Sequence, residues 1–198
     1  MKADEAGEMM DAERADDKFK QRAAILIAVL AMLLAITGLG GQNAAKEANN
    51  NNIFASNLYA FYQAKNIRQT NFALAADNLE IAMANPALAP ETKAEMQKKI
   101  DAYRKNVARY ETEPETQEGK KELLARAKVH EEKREHALKQ DPYFDYAEVF
   151  LQIAIVLVSV AIVSGLAWLV YFGATLGSIG TLLMLNGYLL LVEIPFLG

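Results

Sequence analysis

The sequence predicts an all-α integral membrane protein with three transmembrane helices and an extramembrane helical domain that is hairpin-like or coiled-coil-like. Two observations predict this class. The 198 residues are 52% hydrophobic and 23% charged, and the two kinds of residue are segregated along the chain. Residues 23–45 and residues 149–192 carry no charged side chain. Because about 20 apolar residues cross the hydrocarbon core of a bilayer, the first tract holds one span and the second has room for two.

The charge pattern divides the chain into five predicted segments. These are a polar, frayed or weakly helical tail over residues 1–17, a first transmembrane helix over 18–41, a charged helical extramembrane domain over 42–140, a second transmembrane helix over 141–172, and a third transmembrane helix with the C-terminus over 173–198. The first apolar tract lacks a convincing small-residue cleavage site, so we interpret it as a retained anchor and not as a signal peptide.

The middle domain is predicted to begin irregularly. Gly40 and Gly41 are expected to loosen the end of the first span, and the run Asn49–Asn52 is expected to form a hinge or an irregular turn. An amphipathic helix follows from about Ile53 to Ala84. Asn85 and the prolines after it are expected to end this helix, because proline cannot donate a hydrogen bond to the preceding turn.

Two further helices complete the predicted middle domain. The first, Glu91–Glu113, carries apolar residues at alternating spacings of four and three, as in a coiled-coil seam. The residues of this extramembrane seam are Met96, Ile100, Tyr103, Val107 and Tyr110. The second, Glu115–Gln140, is so rich in Lys and Glu that we interpret it as a solvated helix supported by charge pairs.

The two spans in the second apolar tract are predicted from local signals. Asp141 followed by Pro142 is a favourable helix start. Trp168, Tyr171 and Phe172 are expected to form an aromatic belt at the far end of the second span. Residues 173–177 are then the predicted turn, or the start of the third helix.

Small residues recur on the first and third predicted spans at helical spacing. We expect these stripes to let other helices approach closely, and so to be helix-packing interfaces. The residues are Ala24, Ala28, Ala31, Ala35 and Gly38 on the first span, and Gly173, Gly177, Gly180 and Gly187 on the third. Asn186 is the only strongly polar side chain well inside the third span, and we expect it to bond to a neighbouring helix.

No catalytic, cofactor or metal site is predicted. His130 and His136 are six residues apart, which does not place them on one helical face, and a solvated helix explains the carboxylates between them. Asp141, Asp145 and Glu148 share a helical face that could attract a cation, but the helix dipole already accounts for carboxylates there. With a net charge of −4, the chain lacks the basic surface that nucleic acid requires.

The distribution of basic residues predicts the orientation. Four bases between Arg14 and Arg22 precede the first span, whereas only Lys46 follows it closely. This favours a cytoplasmic N-terminus and an exported middle domain. Bases also precede the second span and none follows Lys139, which points the other way. We give the first span more weight, because it usually dominates topology.

The residues favour a non-catalytic membrane protein that works by helix–helix association, either as an oligomeric scaffold or as an accessory subunit of a larger membrane complex. Its expected partners are membrane lipid, further copies of itself and other membrane subunits. A homo-oligomeric channel with a pore lined by the glycine-rich third span is the alternative.

One short segment carries a family resemblance. The residues Phe61, Tyr62, Gln63, Ala64 and Lys65 lie between an alanine-rich first span and a charged helical middle. In this arrangement the chain resembles the membrane-protein family called domain of unknown function 4337, over roughly residues 18–190. The resemblance implies a bacterial membrane location, here the inner membrane, and three spans. It implies no activity.

Overall fold

The computed structural model describes the backbone of residues 3–195 and the side chains of residues 13–195. The described chain consists of four helices, without strands. They are α1 (Ala3–Met83), α2 (Pro90–Glu111), α3 (Lys120–Ser164) and α4 (Ala167–Leu189). The helices α1, α3 and α4 are long and apolar enough to cross a membrane, by length and composition.

The described chain folds as two compact units. The first unit contains the residues up to Ala48 and those from Glu135 onward, and the second contains Asn49–Arg134. Both α1 and α3 contribute to both units. We had predicted that the middle domain covers residues 42–140, so the second unit lies inside the predicted range and is shorter at each end.

The first unit has two small apolar cores. In one, Ala23 and Leu30 of α1 pack against Leu151, Ala154 and Val158 of α3. In the other, Ala44 of α1 and Met184 of α4 pack around Phe144 and Ala147 of α3. Four of these nine core residues are alanines, which lets the helix backbones lie close together.

The second unit is built on the C-terminal half of α1. Leu58 packs with Leu123 and Ala127 of α3, and Tyr59 and Tyr62 cover this cluster. On the other side, the ring of Phe72 lies 5.5 Å from that of Tyr103 and 5.9 Å from that of Tyr110, both on α2. As predicted, α1 ends just before Asn85 and Pro86, and α2 occupies nearly the predicted range.

The helix α1 lacks the predicted irregularities. The tail, for which we predict a frayed or weakly helical state, is helical from Ala3, while residues 1 and 2 lie outside the described residues. Gly40 and Gly41 do not loosen the helix. Gly40 instead lets α4 approach α1 closely, since a Cβ atom there would lie 2.8 Å from the hydroxyl oxygen of Tyr188. The asparagine run is no hinge, because Asn51 is buried and its amide lies 2.8 Å from His130 Nδ1.

The predicted helix start at Asp141–Pro142 is also wrong. Pro142 lies inside α3, which continues without interruption from the charged segment into the apolar one. Proline removes one hydrogen bond of the helix. The residues that follow it, Tyr143, Phe144 and Ala147, are all buried, so tertiary packing holds the helix together past the proline.

The turn between the last two helices lies earlier than predicted. The helix α3 ends at Ser164, and Gly165 adopts a φ of +71° that residues with a side chain rarely accept. The amide of Gly165 donates to the carbonyl of Ala161 (2.9 Å), which closes the last turn. Residues 173–177 and the aromatic residues from Trp168 to Phe172 therefore belong to α4.

We predict that Gly173→Leu destabilises the first unit. A Cβ atom at this position would lie 2.7 Å from Val158 Cγ2 and 3.1 Å from the carbonyl oxygen of Ala154, so a larger side chain must push α4 away from α3. Overpacking of this kind costs about 1–3 kcal/mol. The measurement is the thermal unfolding midpoint of the full-length protein in detergent micelles. Ser178→Leu on the exposed face of α4 is the matched control, and equal midpoints for both variants would contradict the prediction.

Candidate functional site

Lys65, the last residue of the segment that carries the family resemblance, is a buried charge in the second unit. Its side chain is only 6% exposed. Its ammonium lies 3.3 Å from Glu118 Oε2 and 3.5 Å from Glu113 Oε2. It also lies over the rings of Phe61 and Tyr110, at 5.2 and 5.5 Å from their centroids. Two carboxylates and two aromatic faces thus replace the water that this ammonium loses.

A second set of polar contacts lies one helical turn further along α1. Gln69 Nε2 donates to the carbonyl of Val107 (3.0 Å) and to Glu111 Oε2 (3.1 Å). The Gln69 side-chain oxygen accepts from Lys120 Nζ at 2.8 Å, and the same ammonium lies 3.4 Å from Glu111. The hydrogen bond from Gln69, together with the charge of Lys120, lowers the pKa of Glu111. These contacts tie α1, α2 and α3 into one network.

Glu122, in the first turn of α3, closes the loop of residues 112–119. Its carboxylate accepts hydrogen bonds from the Thr112 hydroxyl (2.7 Å) and from the backbone amide of Glu113 (3.1 Å). The hydrogen bond from Thr112 is the largest cause of a lowered pKa at Glu122, followed by the one from the Glu113 amide. Gly119 is buried where a side chain would collide with the Glu122 carboxylate.

Three of the five residues of the predicted extramembrane seam contact α1 of the same chain. Ile100 and Tyr110 are buried, and Met96, Tyr103 and Val107 are partly buried. Tyr103 and Tyr110 contact Phe72, and the carbonyl of Val107 accepts the hydrogen bond from Gln69. The coiled-coil spacing of these residues therefore serves packing within the second unit.

The glycine stripe of α4 also packs within the chain. Gly173, Gly177, Gly180 and Gly187 are all buried. A Cβ atom would collide with Leu30 at Gly177, would lie 3.0 Å from the carbonyl oxygen of Ala147 at Gly180, and would lie 3.0 Å from the Phe144 ring at Gly187. These glycines let α4 approach α3 and α1.

The alanine stripe of α1 has a different environment. Ala24, Ala28, Ala31 and Ala35 are exposed, whereas Ala23, Leu30 and Thr37 form the buried face of the same helix. Gly38 is partly buried beneath the Glu148 carboxylate. Of the two small-residue stripes that the sequence indicates, the stripe on α1 is thus the one that the described chain leaves uncovered.

The acidic residues of α3 line a shallow polar pocket. Asp141, Asp145 and Glu148 face Thr37 and Gln42 of α1, and the pocket has a volume of about 310 Å³. Over residues 13–195, no three carboxylate, histidine or cysteine side chains lie close enough together to hold a metal ion.

His130 and Asn186 have other partners than predicted. His130 is not on a fully solvated helix: it contacts Asn51, and its ring lies 5.2 Å from that of Phe54. Asn186 does not bond to a neighbouring helix. Its side chain donates to the carbonyl of Val192 (2.8 Å) and accepts from the amide of the same residue (3.0 Å), so it caps the C-terminal end of α4.

The exposed face of α1 in the second unit was missed in the sequence, although its signal is present there. Large apolar side chains recur on it at intervals of seven residues and are more than half exposed in most cases. They are Ile53 (50%), Ile67 (62%), Leu74 (54%) and Ile81 (73%), with the exposed Ala60 in the remaining position. The predicted amphipathic helix from about Ile53 to Ala84 did not include this exposed apolar row.

These features define a helical protein with helices apolar enough to span a membrane, a unit held together by an internal ion network, and uncovered helix faces. The chain belongs to the family described as domain of unknown function (DUF4337), whose model matches residues 19–190. This confirms the resemblance indicated by the sequence. Neither a curated protein nor a solved structure shows significant similarity to the chain.

We predict that Lys65→Ala destabilises the second unit far more than Arg104→Ala does. Breaking a buried ion pair from one side costs about 3–5 kcal/mol, and the partial exposure of Glu113 and Glu118 places the expected loss near the lower value. Arg104 binds Asp77 and Glu80 on the surface, where a pair contributes about 1 kcal/mol or less.

The measurement for this prediction is native-state hydrogen exchange of residues 49–134 in the full-length protein. Lys65→Met, which keeps most of the volume without the charge, is expected to recover part of the loss. Equal opening free energies for the Lys65→Ala and Arg104→Ala variants would show that the buried network does not stabilise the unit.

We predict that the loop of residues 112–119 loosens in acid. Because the folded-state pKa of Glu122 is lowered from 4.5, its contribution to stability is complete above that pH and is lost as the pH falls through the folded value. Hydrogen exchange of the loop, corrected for the intrinsic rate, should be constant down to about pH 5 and accelerate below it. Glu122→Gln should flatten this dependence, whereas the exposed Glu115→Gln should keep it. A pH profile that Glu122→Gln leaves unchanged would refute the assignment.

Proposed function

We propose that the protein is a non-catalytic integral membrane protein that acts by helix–helix association, as an oligomeric scaffold or as an accessory subunit of a larger membrane complex. The observation that carries this proposal is the exposed alanine stripe on α1. Ala24, Ala28, Ala31 and Ala35 form a smooth face on a helix apolar enough to span a membrane, and no other described part of the chain covers that face. Small residues of this kind favour close contact between helices in a bilayer.

Internal packing supports the choice of the alanine stripe over the other candidate surfaces. The glycines of α4 already face α3 and α1, and the seam from Met96 to Tyr110 already faces Phe72 and Gln69. Substitutions there therefore test folding. Substitutions on the alanine stripe test association.

The channel alternative gains no support from this arrangement. A pore lined by the glycines of α4 requires those glycines to face an opening, whereas here a Cβ atom at each of them would lie within about 3 Å of a neighbouring group. The association of whole subunits through α1 requires no rearrangement within the chain.

The proposed location is the inner membrane of a bacterium. The basic residues before the first span support a cytoplasmic N-terminus, and the second unit is then periplasmic. The proposed partners are membrane lipid, further copies of the chain and other membrane subunits.

We predict that Ala31→Leu dissociates the assembly. A leucine in the middle of the stripe holds the helices apart, whereas Met32→Leu alters an adjacent exposed residue with little change in volume. The measurement is native mass spectrometry of the protein extracted gently from its own membrane, with identification of any co-purifying chain. We expect an oligomer or a complex for the wild type and for Met32→Leu, and a smaller species for Ala31→Leu. A wild-type protein that is monomeric and free of partners would refute the proposed function.

A further inference from the structure

The uncovered face of α1 in the second unit has the pattern of a coiled-coil strand. We call it the outer stripe and define it by two rows of exposed residues, each repeating every seven positions. One row is Ile53, Ala60, Ile67, Leu74 and Ile81, and the other is Asn50, Asn57, Ala64, Asn71 and Asn78. The rows are three and four residues apart, which is the spacing of the d and a positions of a heptad.

The outer stripe stays on one face of α1 because its residues repeat every seven positions. The opposite side of the helix has the same period. The buried residues Asn51, Leu58 and Lys65 are also seven apart. A helix with this period stays in register with a second helix that wraps around it in a left-handed sense. From Asn50 to Ile81 the stripe is about 47 Å long at 1.5 Å per residue.

The composition of the segment that carries the outer stripe indicates a surface that contacts a partner outside this chain. Residues 50–84 contain four charged side chains, whereas residues 90–134 of the same unit contain 22. Phe54 and Phe61, which flank the stripe, are 53% and 37% exposed. An uncharged face of this length that exposes a row of large apolar side chains, on a unit otherwise dense in charge, is typical of an interaction surface.

We propose that the outer stripe pairs with the same stripe of a second copy of this chain, as a parallel coiled coil. This inference rests on the proposed function, since it assigns a partner and an interface to the association proposed there. Three features of the stripe favour a second copy over an unrelated helix.

The first feature is the asparagine row. In a parallel pair each Asn faces the same Asn of the other copy, and an amide side chain, which has both donors and an acceptor, can satisfy another amide. A partner with apolar residues in those layers would leave the asparagines buried without hydrogen bonds, at a cost in free energy. Asn in such positions also fixes the register and favours two strands.

The second feature is the charge on the flanks. The only charged flanking residues of the stripe are Arg68 and Asp77. In a parallel pair each flank contacts the residue five positions further along the other copy, so Gln63 meets Arg68 and Asp77 meets Ala82. Like charges therefore never face each other.

The third feature is chain direction. Copies inserted into one membrane with the same topology leave it at the same residue and run the same way, which makes the parallel arrangement the accessible one. Attachment to one bilayer also raises the effective concentration of the two stripes. This compensates for the four asparagines, which weaken the pairing relative to an all-apolar seam.

Because the described chain, and indeed the whole sequence, lacks cysteine, disulfide trapping tests this arrangement directly. Single-cysteine variants Ile67→Cys, Asn71→Cys and Leu74→Cys of the full-length protein are oxidised with copper phenanthroline in native membranes. Asn66→Cys, which is also exposed but lies off the stripe, is the control. In a parallel pair each stripe position faces itself, so covalent dimer should form about tenfold more at the three stripe positions than at the control, as expected for a preference of about 1.4 kcal/mol.

A second variant tests whether the trapped pair depends on the stripe. Ile67→Lys in the Leu74→Cys background places two like charges opposite each other and should lower the dimer yield about tenfold, whereas Ile67→Leu should preserve it. Equal yields at residues 66 and 67, or a disulfide with a different protein, would overturn the inference. An oligomer in native mass spectrometry without stripe cross-links would also overturn it, while leaving the proposed function intact. The thiol of the Ile67→Cys variant could also be protected from a water-soluble maleimide without forming any cross-link. That result would point to a lipid surface and would overturn the inference.

Discussion

The fold depends on one constraint, which is that α1 keeps a seven-residue period along its length. The residues that it buries at this interval are Ala23, Leu30, Thr37, Ala44, Asn51, Leu58 and Lys65. In the first unit these residues are apolar apart from Thr37, whereas two of the three in the second unit, Asn51 and Lys65, are polar. A helix with a period of 3.5 residues keeps such residues on one face, so packing of the coiled-coil type is possible for α1 within each unit.

The polar end of that series explains how the second unit holds together with a small apolar core. Lys65 is balanced by two carboxylates and two aromatic rings, and Gln69 links α2 to the first turn of α3. A buried ion pair contributes less net free energy than apolar packing of equal volume, but it is intolerant of the wrong neighbours. In this unit the network joins the charge-poor half of α1 to α2 and α3, which are dense in charge.

The sequence was sufficient for the number of apolar helices, the end of α1 and the range of α2, because hydropathy and proline are local signals. It was misleading where a tertiary contact outweighs a local preference. Asn51 is held in a helix by His130, Gly40 is needed for the approach of Tyr188, and Pro142 is followed by three buried residues. The turn at Gly165 was missed because the choice between several glycines depends on a positive φ, which composition does not reveal. For the same reason, small-residue spacing identified both the glycine and the alanine stripes but could not tell which of them the chain itself covers.

Because the two faces of α1 share a seven-residue period, an insertion preserves both faces only if its length is a multiple of seven residues. A one-residue insertion between Leu58 and Lys65 would rotate all that follows in α1 by about 100° relative to Leu58, which packs on Leu123 and Ala127. Lys65 would then turn away from Glu113 and Glu118, and Ile67 would leave the outer stripe. An insertion of seven residues would preserve both faces and lengthen the helix by about 10 Å. Relatives of this protein are therefore expected to differ in this region by whole heptads or by none.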